Sequence, residues 1–164
     1  VKPPNPPRYF QLLELLSVHD VDFIVIGGVA AILEGAPITT LDLDIVYDRS
    51  PQNLERLLEV LQKVEACYRD PAGRHIVPTL EKLATARMSL LRTSLGPLDV
   101  LTSVGNASYE ELLDSTRTLQ LGELRIQVLE LAKVIESKEL ANRDKDRAML
   151  PVLRKTLELK RQRP

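Results

Sequence analysis

The sequence predicts an α/β (α+β) fold: a mixed central β-sheet flanked by helices, with a helical C-terminus. Three observations carry this. Short apolar runs such as "DFIVIGG" and "TLDLDIVYD" have the length and composition of strands. Between them lie segments with apolar residues at helical spacing and capping residues at their starts. From "ELAKVIESK" onward the strand signals stop and helical ones take over. With 164 residues, the chain is long enough for one domain with its own core. The expected division is a single domain over residues 1–164, with a core at about 8–130 and a helical segment at about 131–160.

Each element has its own reason. "NPPRYFQLLELLSVHDV" has prolines at its entrance, then Phe10, Leu13 and Leu16 at helical spacing. "DFIVIGG" is a buried strand closed by a glycine turn. "VAAILEG" is a brief helix stopped at Gly35, where glycine relieves the left-handed cap. "TLDLDIVYD" is the next strand. "SPQNLERLLEVLQKV" is the clearest helix, with Ser50 as N-cap, Pro51 in the first turn, and Leu54, Leu57, Leu58, Leu61 and Val64 on one stripe. Residues 65–87 are broken by Pro and Gly and have room for a strand, a loop and part of a helix. "MSLLRTSLGPLDVLTSV" reads as two strands joined around Ser94–Pro97, with Asp99 inside the second. "SYEELLDS" opens with a capping box, Ser108 and Glu111. "TLQLGELRIQVL" reads as a hairpin turning near Gly122. The remaining helical segment is expected to break before Pro151.

Composition narrows the function classes. The apolar fraction of 44% is ordinary for a globular protein. No apolar run is long enough to span a bilayer, and "VKPPNPPRYF" lacks the charged-then-apolar order of a signal peptide, so a cytoplasmic location is expected. The single cysteine, Cys67, excludes an internal disulfide and reads as a buried small apolar residue. His19 and His75 stand far apart, which argues against a zinc site. From Lys138 onward nine Lys and Arg stand against four Asp and Glu, net +5, so the rest of the chain carries −6. A basic segment beside an acidic body suits phosphate, although a solvated helix surface has the same composition.

Three carboxylates each interrupt an apolar strand: Asp42 and Asp44 in "LDLDIV" and Asp99 in "PLDVL". Strand side chains alternate, so Asp42 and Asp44 share one face while Leu41, Leu43 and Ile45 share the other. Parallel carboxylates repel unless a metal ion, an arginine or water lies between them. An ionised aspartate in such a strand is costly unless it is paired, metal-bound or at a cleft edge. Pairing of Asp99 with Arg92 across the hairpin is one way out. The other is a hard divalent ion, since oxygen-only ligands suit Mg²⁺ or Mn²⁺. Two such ions on three carboxylates can activate an attacking oxygen and stabilise a leaving pyrophosphate. The turn Gly27-Gly28 would present backbone N–H groups at a helix N-terminus, a natural seat for a triphosphate. Taken singly, an Asp-x-Asp pair is most often a solvated strand face and Gly-Gly a turn. The order carries more: strand, Gly-Gly, short helix, Asp-x-Asp, capped helix, then a third Asp in a later strand.

That order resembles the nucleotidyltransferase superfamily with the DNA polymerase beta-like core. More narrowly, "IGGVAAILEGAPITTLDLDIVYDRSPQNLERL", "LGPLDVL" and "VIESKELANRDKDRAMLPVL" look like small bacterial proteins related to the AbiEii-type nucleotidyltransferase toxins. The likeness runs from about residue 8 to about residue 158, and residues 65–87 match it poorly. The resemblance implies the nucleotidyltransferase fold. It further implies that Asp42, Asp44 and Asp99 are catalytic and bind Mg²⁺ or Mn²⁺, Asp99 helping to activate the acceptor hydroxyl. It assigns nucleotide binding to Gly27, Gly28, Thr40, Lys138 and Lys145, with Asp146 in support. On a continuous helix Lys138 and Lys145 share a face. Two positions depart from the family pattern: Gly28 stands where many members have serine, and Met149 where a carboxylate is common.

The resulting expectation is a metal-dependent transfer of a nucleoside monophosphate from an NTP to an RNA (tRNA) or protein acceptor, as a possible toxin–antitoxin component with an antitoxin partner and no membrane association. The alternatives are a catalytically inactive nucleotide-binding or protein-interaction domain of the same fold, and a structural domain whose Asp-rich edge is merely solvated.

Overall fold

The computed structural model describes residues 8–163. The prolines expected at the entrance of the first helix lie outside the described residues. Helix α1 (Tyr9–Val18) buries Leu12, Leu13 and Leu16, while Phe10 falls off this stripe and is 53% exposed. Strand β1 (Phe23–Ile26) is buried along its whole length and runs directly into helix α2 (Gly27–Leu33). The change of direction occurs at Gly27, whose φ of +63° is a left-handed conformation that glycine adopts freely. Strand β2 (Leu43–Tyr47) starts one residue after Asp42, so Asp42 sits at the strand entrance. Leu41 is therefore not on the buried face as expected; it precedes the strand and is 76% exposed.

Helix α3 (Pro51–Lys63) buries Leu54, Leu57, Val60 and Leu61. Ser50 occupies its N-cap, but its hydroxyl donates to Asp48 rather than accepting from the helix. Buried Asn53 ties the helix to the sheet instead, its amide donating to the carbonyls of Asp22 and Asp48. Residues 65–87 resolve into strand β3 (Cys67–Tyr68), a loop, and helix α4 (Leu80–Thr85), which Thr79 caps. Strands β4 (Met88–Thr93) and β5 (Gly96–Leu101) form the expected hairpin. A small β6 (Ser103–Val104)–β7 (Ala107–Ser108) pair leads into helix α5 (Tyr109–Leu112), where Ser108 and Glu111 make the capping box. Strands β8 (Thr116–Leu121) and β9 (Leu124–Leu129) turn at Gly122.

Seven strands make one mixed sheet in the order β3-β4-β5-β2-β1-β9-β8. The pairings β2–β5 and β1–β9 are parallel and the rest antiparallel. Ile24, Val25, Leu43, Ile45, Leu98 and Val100 on the central strands are wholly buried. Helix α1 packs on β9 and α3, and α2 packs on β1, β2 and β9.

The C-terminal segment is two helices, α6 (Leu131–Ala141) and α7 (Asp144–Gln162). The break falls at Asn142, in the left-handed conformation at φ +49°, nine residues ahead of Pro151 rather than directly beside it. Asparagine tolerates that conformation better than most residues. Pro151 lies inside α7, and the carbonyl it leaves free belongs to exposed Arg147, where water can satisfy it. No helix among the described residues is long and apolar enough to cross a membrane.

Candidate active site

Strand register brings the three aspartates together. Antiparallel pairing sets Asp44 opposite Ile26, the last residue before the glycine turn, and parallel pairing sets Asp44 beside Asp99. Asp42 joins them from the strand entrance. The three line a cleft of about 540 Å³, and Gly27, Gly28, Thr40, Lys138 and Lys145 line the same cleft. The other walls include Arg69, Arg143, Met149 and an apolar side made by Met88, Leu90, Leu101 and Val104.

Both glycines are required by what they touch. A Cβ on Gly27 would stand 2.4 Å from Asp44 Oδ2, an impossible contact, so a side chain there would displace that carboxylate. A Cβ on Gly28 would lie 2.8 Å from both Cβ and Oγ1 of Thr40. The Thr40 side chain thus fills the space next to Gly28, and its hydroxyl donates to the Asp42 carbonyl at 3.3 Å.

The charges in the cleft are unevenly compensated. Burial, reinforced by the charges of Asp99 and Asp42, raises Asp44 to about 7; Lys138 and Lys145 pull weakly the other way. Asp99 rises to about 6, again through burial, against the lowering effect of Arg69 and of a hydrogen bond with Asp44. The partner of Asp99 is Arg69, whose Nη2 donates to Asp99 Oδ1 while Nη1 stands 3.6 Å from Asp42 Oδ2. Arg92 is not that partner, contrary to the cross-hairpin expectation. It shares the face of Leu90 on β4 but reaches towards β3, where its Nε donates to Cys67 Sγ at 2.9 Å. Arg69 thus stands between Asp42 and Asp99. Among the described residues no group of three or more His, Cys, Asp and Glu side chains is arranged to hold a metal ion.

Lys138 differs from the exposed surface lysine that its sequence context suggests. Its side chain is 13% exposed and its Nζ donates to Asp146 Oδ1 at 3.2 Å. Asp146 is fully buried and also accepts from Arg143 Nε at 2.6 Å. Burial alone would raise Asp146, but the hydrogen bonds from Arg143 and Lys138 hold it below the ordinary carboxylate value. The cause is the break at Asn142, which turns α7 back so that its first turn packs against α6. Lys138 and Lys145 therefore sit on two helices, not on one continuous face. Tyr9 also approaches the site: burial and the charges of Asp42 and Asp44 raise its hydroxyl, which donates to the Thr40 carbonyl at 3.3 Å.

Arg69 and Arg143 were not singled out from the sequence. Arg69 lies in the poorly readable stretch and meets a partner 30 residues away. Arg143 carried a signal, since it falls in the basic C-terminal segment three residues before Asp146.

No protein-family model and no curated protein matches the chain. Solved structures do. A Thermotoga maritima protein provisionally assigned as a nucleotidyltransferase superposes with a TM-score of 0.55 at 15% identity, over 92% of this chain and 90% of that one. ANT(2″)-Ia in complex with adenylyl-2″-tobramycin gives 0.59 at 10% identity, over 93% and 89%. An antigenic nucleotidyltransferase-like protein from Paracoccidioides brasiliensis gives 0.53 at 18% identity, over 87% and 72%. The chain has the nucleotidyltransferase fold. At these identities the likeness fixes the fold and leaves the chemistry to the residues of the cleft.

Proposed function

We propose that the protein is a nucleotidyltransferase that moves a nucleoside monophosphate from an NTP to an acceptor hydroxyl, using Mg²⁺ or Mn²⁺. The supporting observation is that three aspartates, a glycine turn and a cluster of basic side chains line one cleft of a nucleotidyltransferase fold. ANT(2″)-Ia, which shares the fold, is seen with an adenylylated tobramycin.

In this reading Asp42, Asp44 and Asp99 are the catalytic and metal-binding residues. Their donor chemistry fits a hard divalent ion, being oxygen only, and Asp44 gains most from one, since burial and two like charges hold it high. When bound, such ions polarise the acceptor oxygen and offset charge on the departing pyrophosphate. Asp99 takes the acceptor proton as the acceptor oxygen bonds to the α-phosphorus and the bond to the β-phosphate breaks. The N–H groups of Gly27 and Gly28 face the phosphates. Thr40 supplies the hydroxyl that a serine at position 28 supplies in the family, because its Oγ1 lies where that side chain would stand. Lys145 carries the phosphate charge first, since Lys138 and Arg143 are both engaged by Asp146. Lys138 contributes through the positive field it lends to Asp44.

The acceptor side of the cleft is apolar. Met88 and Leu90, 54% and 38% exposed, flank Asp99. An RNA end brings phosphates that call for cations, so this wall favours a protein acceptor over a tRNA. A relationship to AbiEii-type toxins, with an antitoxin as partner, belongs to the same proposal. The second reading, an inactive nucleotide-binding or protein-interaction domain, draws on Arg69 over the carboxylates and on Met149. Incubation with labelled NTPs, Mn²⁺, total tRNA and cell lysate separates them: label on protein is expected, label on RNA reverses the acceptor, and no label favours the inactive domain.

A further inference from the structure

The carboxylates of Asp42 and Asp99 are neutralised from within the chain. Arg69 bridges them, Nη1 to Asp42 at 3.6 Å and Nη2 bonded to Asp99. Its backbone is anchored, since it directly follows β3 and its N–H donates to the Leu90 carbonyl at 3.0 Å. Its guanidinium is not enclosed. The side chain is one-third exposed, and residues 71–75 beyond it are exposed and form neither helix nor strand. A long, flexible stem on a fixed backbone can carry the charged head from the cleft into water without moving any buried group.

A guanidinium docked on Asp42 and Asp99 and a divalent ion held by the same two carboxylates would stand close together, and two cations at that distance repel. We propose that Arg69 is a built-in counter-ion that competes with the divalent ion for Asp42 and Asp99 and leaves the cleft when the ion binds. This rests on the metal-dependent reading above. Three aspartates on one cleft face are thereby tolerated by the metal-free protein, and the metal must displace Arg69 to gain its ligands. Apparent metal affinity is then lowered by the fraction of molecules in which Arg69 is docked. The same bridge accounts for carboxylates that share a cleft without being arranged around an ion.

The competition has a sign that a merely structural arginine would reverse. Mn²⁺ binding to the full chain is measured by electron paramagnetic resonance, without nucleotide, for wild type, Arg69→Gln and Arg69→Lys. Circular dichroism melts in EDTA check that each variant is folded. Arg69→Gln is expected to bind Mn²⁺ about tenfold more tightly than wild type. Arg69→Lys should fall between them, since a lysine keeps the charge but cannot bridge two carboxylates in one plane. Adding Asp44→Asn to Arg69→Gln should remove the gain, tying the ion to this cleft. Unchanged or weaker Mn²⁺ binding in Arg69→Gln overturns the competition while leaving the metal site standing. A gain that survives Asp44→Asn also overturns it. Absence of Mn²⁺ binding at millimolar concentration in wild type and Arg69→Gln alike overturns both the competition and the metal-dependent reading.

Discussion

Asp146 and Asp44 are withdrawn from water on neighbouring parts of the molecule, and their surroundings treat them in opposite ways. Asp146 is fully buried between Arg143 and Lys138, which hold it ionised below the usual carboxylate range. Asp44 has Asp99 and Asp42 as its strongest charged neighbours and rises to about 7. The first carboxylate completes a set of charges that folding itself assembles. The second is left uncompensated, and folding has to tolerate it. A buried acid flanked by cations is satisfied by the fold itself, whereas one flanked by other acids is a candidate for a functional site.

The largest expected effect belongs to the satisfied acid. Asp146→Ala strands the largely buried Lys138 beside a gap and should cost about 3 kcal/mol in urea unfolding. A loss below about 1 kcal/mol would erase the distinction between the two aspartates. Next comes Gly27→Ala, which adds a Cβ onto Asp44 Oδ2 at a residue with φ +63°. It should cost about 1–3 kcal/mol from backbone strain and remove any NTP-induced rise in melting temperature. A smaller effect is expected of Gly28→Ser. The added side chain meets Thr40 and should destabilise by about 1 kcal/mol. Thr40→Gly, which removes both contacting atoms, should relieve most of that loss, because the two residues compete for one space. Additive losses in the double variant would contradict the role given to Thr40.

A further expected effect is a pH dependence, and it has opposite signs for the two acids. The folded protein keeps a proton on Asp44 that the unfolded chain releases, so metal-free stability rises as pH falls from about 7 towards the ordinary value of 3.8. Asp99, raised to about 6, adds in the same direction. The contribution of Asp146 is complete at neutral pH and is lost only as pH falls below 3.8, through its depressed folded value. Urea midpoints measured in EDTA from pH 8 to pH 5 should therefore climb for wild type and climb less for Asp44→Asn. Identical slopes would mean that Asp44 is not held protonated by its neighbours.

Much of this arrangement can be read from the chain. Strand periodicity and the glycine turn put Asp44 next to Gly27, and the mixed sheet follows from short apolar runs alternating with capped helices. The departures are long-range or depend on one backbone conformation. Nothing local indicates that Arg69, past a two-residue strand, meets an aspartate 30 positions away. Pro151 was the more obvious helix breaker than Asn142, yet the left-handed Asn142 decides that Lys138 faces Asp146. Leu41 looked like a strand residue because Asp-x-Asp alternation extends to it, but β2 begins only at Leu43.

The most direct test is a set of melting curves for wild type and Asp44→Asn, each with and without millimolar Mn²⁺ and a non-hydrolysable NTP analogue. Wild type should gain most stability when both are present, by about 2.7 kcal/mol at a hundredfold excess over Kd. Asp44→Asn should melt at the same or a higher temperature in EDTA, because a like charge has been removed from the cleft, and should show no gain with Mn²⁺ and nucleotide. A wild type indifferent to Mn²⁺ and nucleotide would contradict the account, and so would an Asp44→Asn variant that is less stable in EDTA. The second result would place Asp44 with Asp146 among the acids that the fold itself satisfies.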